Sequence, residues 1–184
     1  MQKTFALVIV VLAVLVLAGC ANASVNPTAT AEIDHGAHNM DTAPVTSDLA
    51  YIDGMIVHHQ GAITMARDAL AQAESDDVKQ LATQIINAQE AEIMQLNVWR
   101  ESWYPDAPET DVSMMDMGAM QVEPGDGSYD ERWLRAMIGH HQAAIDMSGQ
   151  LLEVGEKSEL VAFAEAVITA QTAEIKQMQM WLGE

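Results

Sequence analysis

Met55-Ile56-Val57-His58-His59-Gln60-x-Ala62-Ile63-x-Met65 returns as Met137-Ile138-Gly139-His140-His141-Gln142-x-Ala144-Ile145-x-Met147, 82 residues later and without a gap. The repeat reaches well beyond these stretches. Asp48 answers to Asp130, Tyr51 to Trp133, Ile86 to Ile168 and Trp99 to Trp181. Gln89-x-x-Glu92-Ile93-x-Gln95 answers to Gln171-x-x-Glu174-Ile175-x-Gln177. Within the first copy the apolar residues recur at helical spacing, as Leu49, Ile52, Ile56, Ile63, Ala66 and Leu70, then as Leu81, Ile85, Ile86, Ile93, Leu96 and Trp99. No strand pattern competes. Two copies of one helical hairpin predict an all-α four-helix bundle with a pseudo-twofold axis.

Punctuation residues place the helix ends. Ser47 or Asp48 caps the first helix. Ser75, followed by Asp76 and Asp77, opens a second that runs to about Trp103, and Pro105 and Pro108 stop it. Ser128 and Glu131 form a capping box for a third helix, with Gly155 as its C′ residue. Ser158 is the candidate cap of a fourth, ending near Trp181. The bundle thus spans 47–183, as hairpin 47–104, connector 105–128 and hairpin 129–183.

The residues before it are not part of the fold. Lys3 precedes an apolar run from Phe5 to Ala18, too short to span a membrane comfortably and suited to a signal peptide over 1–19. Leu17-Ala18-Gly19-Cys20 resembles the bacterial lipobox, which implies cleavage before Cys20, lipid on its thiol, and export to the cell envelope. That leaves the protein facing the periplasm from the outer membrane, or on the outer face of the plasma membrane. Cys20 is the only cysteine, so no internal disulfide forms. Residues 20–46, rich in Ala, Thr, Asn and Ser, read as a flexible tether. A formal net charge of −19 argues against a nucleic-acid partner and fits attraction of cations.

The chemistry lies in the repeat. At about 100° per residue, one face of the first helix carries Met55, His58, His59 and Met65 around the small Ala62. The third helix does the same with Met137, His140, His141 and Met147 around Ala144. With the first turn centred at residues 75–76, His59 stands level with Glu92. With the second centred near 157, His141 stands level with Glu174. Each carboxylate can orient the imidazole it faces, or act as a ligand itself. The bland reading is a packed core, with Met as filler and each His–Glu as a satisfied polar pair. Imidazole and thioether together instead favour copper, Cu(I) before Cu(II). Zinc would use His and Glu and leave the methionines unexplained. Di-iron bundles need Glu-x-x-His, and here Met55 and Met137 occupy the place of that Glu.

Two further segments carry soft or labile ligands. Met114, Met115, Met117 and Met120 crowd the connector, as a thioether cluster for Cu(I) or as a cap on the bundle's apolar end. His35, His38 and Met40 lie in the tether. No nucleophile–base pair stands out.

The long motif Met-x-x-His-His-x-x-Ala-Ile-x-Met, present twice over residues 48–183, resembles the hallmark of the bacterial proteins grouped as domain of unknown function 305. That resemblance implies a ferritin-like bundle, secreted or periplasmic, with copper binding and copper resistance in some members. Carried onto this chain, the implied ligands are Met55, His58, His59, Met65, Met137, His140, His141 and Met147. Val57 and Gly139 depart from a Pro often found before the His pair. Asp53 is matched by Arg135, so the halves differ in charge. Three functional readings follow: copper sequestration or transfer by an exported lipoprotein, a ferritin-like metal-dependent redox enzyme, or a non-metal envelope module that contacts partners.

Overall fold

The computed structural model describes residues 44–184. The proposed signal peptide, Cys20, His35, His38 and Met40 lie outside the described residues. Four helices follow one another: α1 (Asp48–Gln72), α2 (Asp76–Trp103), α3 (Tyr129–Val154) and α4 (Ser158–Leu182). There is no strand among the described residues. The fold is an all-α bundle of two hairpins, as the helical spacing predicts.

Three helix starts use the expected caps. The side chain of Ser47 accepts from the Ala50 N–H, that of Ser75 from Val78, and Ser128 and Glu131 close a reciprocal capping box. The fourth start departs from expectation. Ser158 lies inside α4 and its hydroxyl donates to Glu159, while Lys157 is the N-cap residue and makes no side-chain cap. What the other hairpin holds is the turn just before α4. Asp48 Oδ1 and Oδ2 accept from the backbone N–H groups of Glu156 and Lys157, each at 3.0 Å. Asp130, its repeat partner, accepts from the N–H groups of Glu74 and Ser75 at 3.0 and 2.8 Å. An aspartate in the first turn of each hairpin therefore clamps the other hairpin's turn.

Gly155 also differs from the C′ role expected of it. Its φ is −67°, so no left-handed residue ends α3. Glycine is needed there for space: a Cβ would lie 2.9 Å from the Leu151 carbonyl oxygen and 3.0 Å from Val161 Cγ2. Leu70, expected on the buried face of α1, is exposed, and Ala69 is buried in its place. Val45, placed by sequence in the tether, is buried in the core and donates its N–H to Gln150 Oε1 at 2.7 Å, so packing begins before the first helix.

Helices pair within each hairpin, and the hairpins meet through α1 and α3. These two run antiparallel. Tyr51 near the start of α1 shares a 2.9 Å hydrogen bond with Ser148 late in α3, and Trp133 early in α3 donates from Nε1 to the Met65 carbonyl at 2.9 Å. The pseudo-twofold axis thus crosses α1 and α3 near their middles. Two apolar clusters lie on either side of it. One gathers Met65, Ala69, Leu81, Trp133, Met137 and Met178, the other Tyr51, Ile52, Met55, Met147, Leu151 and Leu160. Burying each large side chain stabilises the fold by about 1.5–3 kcal/mol.

Replacing Asp48 or Asp130 with Ala leaves two turn N–H groups without their acceptor. Each change is expected to cost about 1–3 kcal/mol in urea denaturation. The double variant should lose nearly the sum, because the two clamps sit at opposite ends of the bundle.

Candidate metal centre

The duplicated histidines converge between the two apolar clusters. His58, His59, His140 and His141 are all fully buried. His58 and His140, equivalent under the repeat, lie ring against ring with centroids 3.8 Å apart and planes tilted by 57°. His59 sits 6.1 Å from His58, centroid to centroid, edge to face. The two copies therefore build one imidazole cluster on the axis.

The outer imidazoles meet the carboxylates that hairpin register places level with them. His141 Nε2 lies 2.6 Å from Glu174 Oε2 in a hydrogen bond, and His59 Nε2 lies 2.9 Å from Glu92 Oε2, close but off hydrogen-bond alignment. His58 Nε2 lies 3.0 Å from the His140 carbonyl oxygen. A carbonyl only accepts, so this nitrogen carries the proton and Nδ1 keeps its lone pair.

Several of these nitrogens have no partner. The Nδ1 atoms of all four histidines and Nε2 of His140 are buried without a hydrogen bond. An unpaired buried polar atom costs about 1–3 kcal/mol, so such a concentration in one layer is unusual for a purely architectural core. Unprotonated, buried imidazole nitrogens are what a borderline or soft cation binds. Gln89 and Gln171, buried one turn before the two glutamates, likewise keep Oε1 unpaired. Sequence reasoning quoted them only as part of the repeat; their recurrence with Glu92 and Glu174 at fixed spacing was the available signal.

The sulfurs flank this layer. Met55 and Met147 lie in one apolar cluster, Met65 and Met137 in the other, and all four are buried. The antiparallel crossing explains the exchange: a methionine before one His pair stands level with the methionine after the other. Among the described residues, no three His, Asp, Glu or Cys side chains are arranged to hold one metal ion together.

The connector does not cap the bundle end. Arg100 anchors its first residues, donating to Asp53 Oδ1 at 3.0 Å and to the carbonyls of Tyr104, Ala107 and Pro108 at 3.1 to 3.2 Å. Asp53 Oδ2 accepts from the Thr110 N–H at 2.8 Å. The chain then runs along the side of α1 and α3. Met115 is buried against Gly54, and Gly118, in the left-handed region at φ 60°, lies on Gly139 and His140. Met120 lies against Gly61, while Met114 is exposed and Met117 half-buried. Arg135, the counterpart of Asp53, instead pairs with Glu184 at the chain's end, so only the first hairpin carries the anchor.

Desolvation sets the protonation state of the inner pair. Burial, and then the neighbouring His141 and His59, push His140 from 6.5 down to about 3. Burial followed by His140, His59 and His141 holds His58 well below its ordinary value. Both stay neutral when folded and gain protons at about pH 6.5 when unfolded. The stability of the metal-free bundle is therefore whole above that pH and falls as the solution is acidified. For His140 the loss continues to about pH 3. Urea denaturation in chelator at pH 7, 6, 5 and 4 is expected to show up to about 1.4 kcal/mol lost per pH unit for each inner imidazole.

The model of a family described as a domain of unknown function, DUF305, matches residues 48–182. CopM in its Cu(II)-bound form is 35% identical, the alignment covering 73% of this chain and 95% of that one, with a TM-score of 0.63. CopM in its Cu(I)-bound form is 34% identical over 73% and 94% of the two chains, with a TM-score of 0.62. A DUF305 fragment from Deinococcus radiodurans is 25% identical over 77% and 99%, with a TM-score of 0.63. A protein of Acanthamoeba polyphaga mimivirus, itself described only as uncharacterized, is 41% identical over 56 residues, 30% of this chain and 37% of the relative. The chain thus spans little more than a third of that viral protein. Two copies of the motif, the four-helix fold and a family match over nearly the whole described body agree: the chain belongs to the DUF305 family.

Proposed function

We propose that this protein is an extracytoplasmic copper-binding lipoprotein that sequesters or transfers the metal and so contributes to copper resistance. The observation that carries this reading is the buried four-imidazole cluster with unpartnered ring nitrogens, flanked by four buried thioethers. Support comes from CopM, about a third identical in sequence, which has been solved with Cu(II) and with Cu(I). His58, His59, His140 and His141 supply nitrogen, and Met55, Met65, Met137 and Met147 supply sulfur. Glu92 and Glu174 orient the outer imidazoles. Their side chains remain 27% and 24% exposed, so each links a buried ring to solvent.

Cu(I) is preferred over Cu(II) and zinc, because thioether sulfur and neutral imidazole suit a soft cation and leave no buried negative charge to offset. Met114, Met115, Met117 and Met120, with His35, His38 and Met40 of the tether, collect ions at the surface. Lipid on Cys20 holds the protein at the envelope, and the acidic surface raises the local cation concentration.

Thermal denaturation with and without Cu(I) tests this directly, since a ligand of the folded state raises its midpoint. At a free concentration about 100 times Kd the gain is about 2.7 kcal/mol. The His58→Asn/His140→Asn variant is expected to lose most of its own copper-induced rise, whatever its starting stability. An unchanged rise and stoichiometry in that variant would remove the bundle as the binding site. Zinc at equal concentration is expected to shift the wild-type midpoint less than Cu(I).

A further inference from the structure

Thr110 ties one end of the connector to Asp53, and the carbonyls of Gly125 and Gly127 tie the other to Arg132. Between these ties the connector bonds to itself. The Ser113 N–H donates to Asp111, the Met115 N–H to the Val112 carbonyl and the Gly118 N–H to Asp116, at 2.9 to 3.0 Å. What seats the stretch on α1 and α3 is apolar contact. Val112 and Met117 pack on one cluster and Val122 on the other. Met115 and Met120 each enter a gap left by a glycine of α1. A Cβ on Gly54 would stand 2.7 Å from Met115 Sδ and 3.1 Å from Met147 Cε. One on Gly61 would stand 2.5 Å from Met120 Cε, 2.8 Å from Met120 Sδ and 3.1 Å from His140 Nε2. The Met120 methyl group therefore fills the space beside a buried ring. The second copy has Ala136 and Ala143 where these glycines stand, so the two gaps have no counterpart in α3. The sulfurs differ in access: Met120 is 39% exposed and Met115 only 9%.

We propose that Met120 and Met115 are an ordered oxidation site, at which a peroxide unseats the connector and uncovers His140. The Met120 sulfur is reached from solvent first. Its lone pair attacks one peroxide oxygen, and the S–O bond forms as the O–O bond breaks. The attacked oxygen passes its proton to the departing hydroxide, which leaves as water. The thioether is oxidised by two electrons and the peroxide reduced by two. A sulfoxide is polar where the thioether was apolar, and it disrupts contacts built on methionine. Oxidised Met120 turns its oxygen to water and leaves the α1 backbone and the His140 ring. The connector then loosens around Gly118, and Met115 becomes reachable. Seated, the Met115 sulfur has no room for an oxygen, with the Gly54 backbone and Met147 against it. Its oxidation therefore holds the connector open. The two tied ends keep the segment attached, and enzymatic reduction of the sulfoxides lets it reseat. The site needs no metal, so it goes beyond the copper-binding reading without resting on it.

The test is a hydrogen peroxide time course on the full chain in chelator. Peptide masses follow each methionine, and diethyl pyrocarbonate labelling follows His140. Met94 and Met180, 64% and 69% exposed, serve as internal clocks. In wild type, Met120 is expected to oxidise soon after them, and Met115 only once Met120 has. Met120→Leu keeps volume and removes the sulfur. In it, Met115 oxidation is expected to slow at least about threefold while the clocks hold their rates, since a seated sulfur reacts only through local opening. Before oxidation this variant is expected to leave His140 as unlabelled as wild type, which shows the connector seated. In wild type, His140 labelling is expected to rise in step with Met115 oxidation, with helical circular dichroism retained. It is expected to stay absent from peroxide-treated Met115→Leu/Met120→Leu. Equal Met115 rates in wild type and Met120→Leu overturn the order. An unlabelled His140 after both sulfurs are oxidised overturns the unseating. Neither result bears on copper binding, because the metal is withheld throughout.

Discussion

Four buried imidazoles packed at the crossing of α1 and α3, the inner two held neutral by burial, are the constraint on which the rest depends. His58 and His140 are too close and too deeply buried for either to take up a second ring proton at neutral pH. Their hydrogen-bonding capacity exceeds what the surrounding helices provide. A core built only for stability would put apolar side chains at such a position, since replacing unsatisfied polar groups with well-packed hydrocarbon costs nothing and often stabilises. The flanking apolar clusters carry the folding energy, and the layer between them is left free to do chemistry.

Symmetry brings the layer together, and departures from symmetry give it access. The Asp48 and Asp130 clamps obey the repeat, as do the two His–Glu contacts. The connector cannot obey it, because it joins the two copies and exists once. It is tied down by Asp53 and Arg100, where the second copy has Arg135 and Leu182. It lies over the seam at Gly54 and Gly61, where the second copy has Ala136 and Ala143. One side of the imidazole layer is thus covered by a sulfur-bearing strap. The two halves share a fold and differ in what covers them.

Much of this was legible in the residues. Helical spacing and Ser caps gave four helices, and hairpin register placed Glu92 and Glu174 opposite His59 and His141. The meeting of the two His pairs was not legible, because intra-hairpin register says nothing about how one hairpin docks on another. The hold on the turn before α4 is illegible for the same reason: Asp48 is 108 residues from the Glu156 N–H it binds. The connector's path depended on glycines within α1, where helical patterning treats glycine only as a mild penalty. Leu70 was misplaced because Ala69 suits the close approach of helices better than a larger neighbour. Cys20 and the tether residues His35, His38 and Met40 remain readings of sequence alone.

The position of the motif along its helix decides why duplication yields one imidazole cluster rather than two. An antiparallel pair related by a perpendicular twofold superimposes only the residues at the crossing point. His58 lies near the middle of the 25-residue α1, and His140 near the middle of the 26-residue α3. Had the motif stood one turn nearer either helix end, the two copies would have moved in opposite directions, separating the histidine pairs by about 11 Å at 5.4 Å per turn. The Asp48 and Asp130 clamps hold that coincidence in place. Sliding α1 along α3 by a single turn would pull both carboxylates off the turns they cap. The reciprocal carboxylates at the bundle's ends thereby fix the register that brings His58 against His140 at its centre.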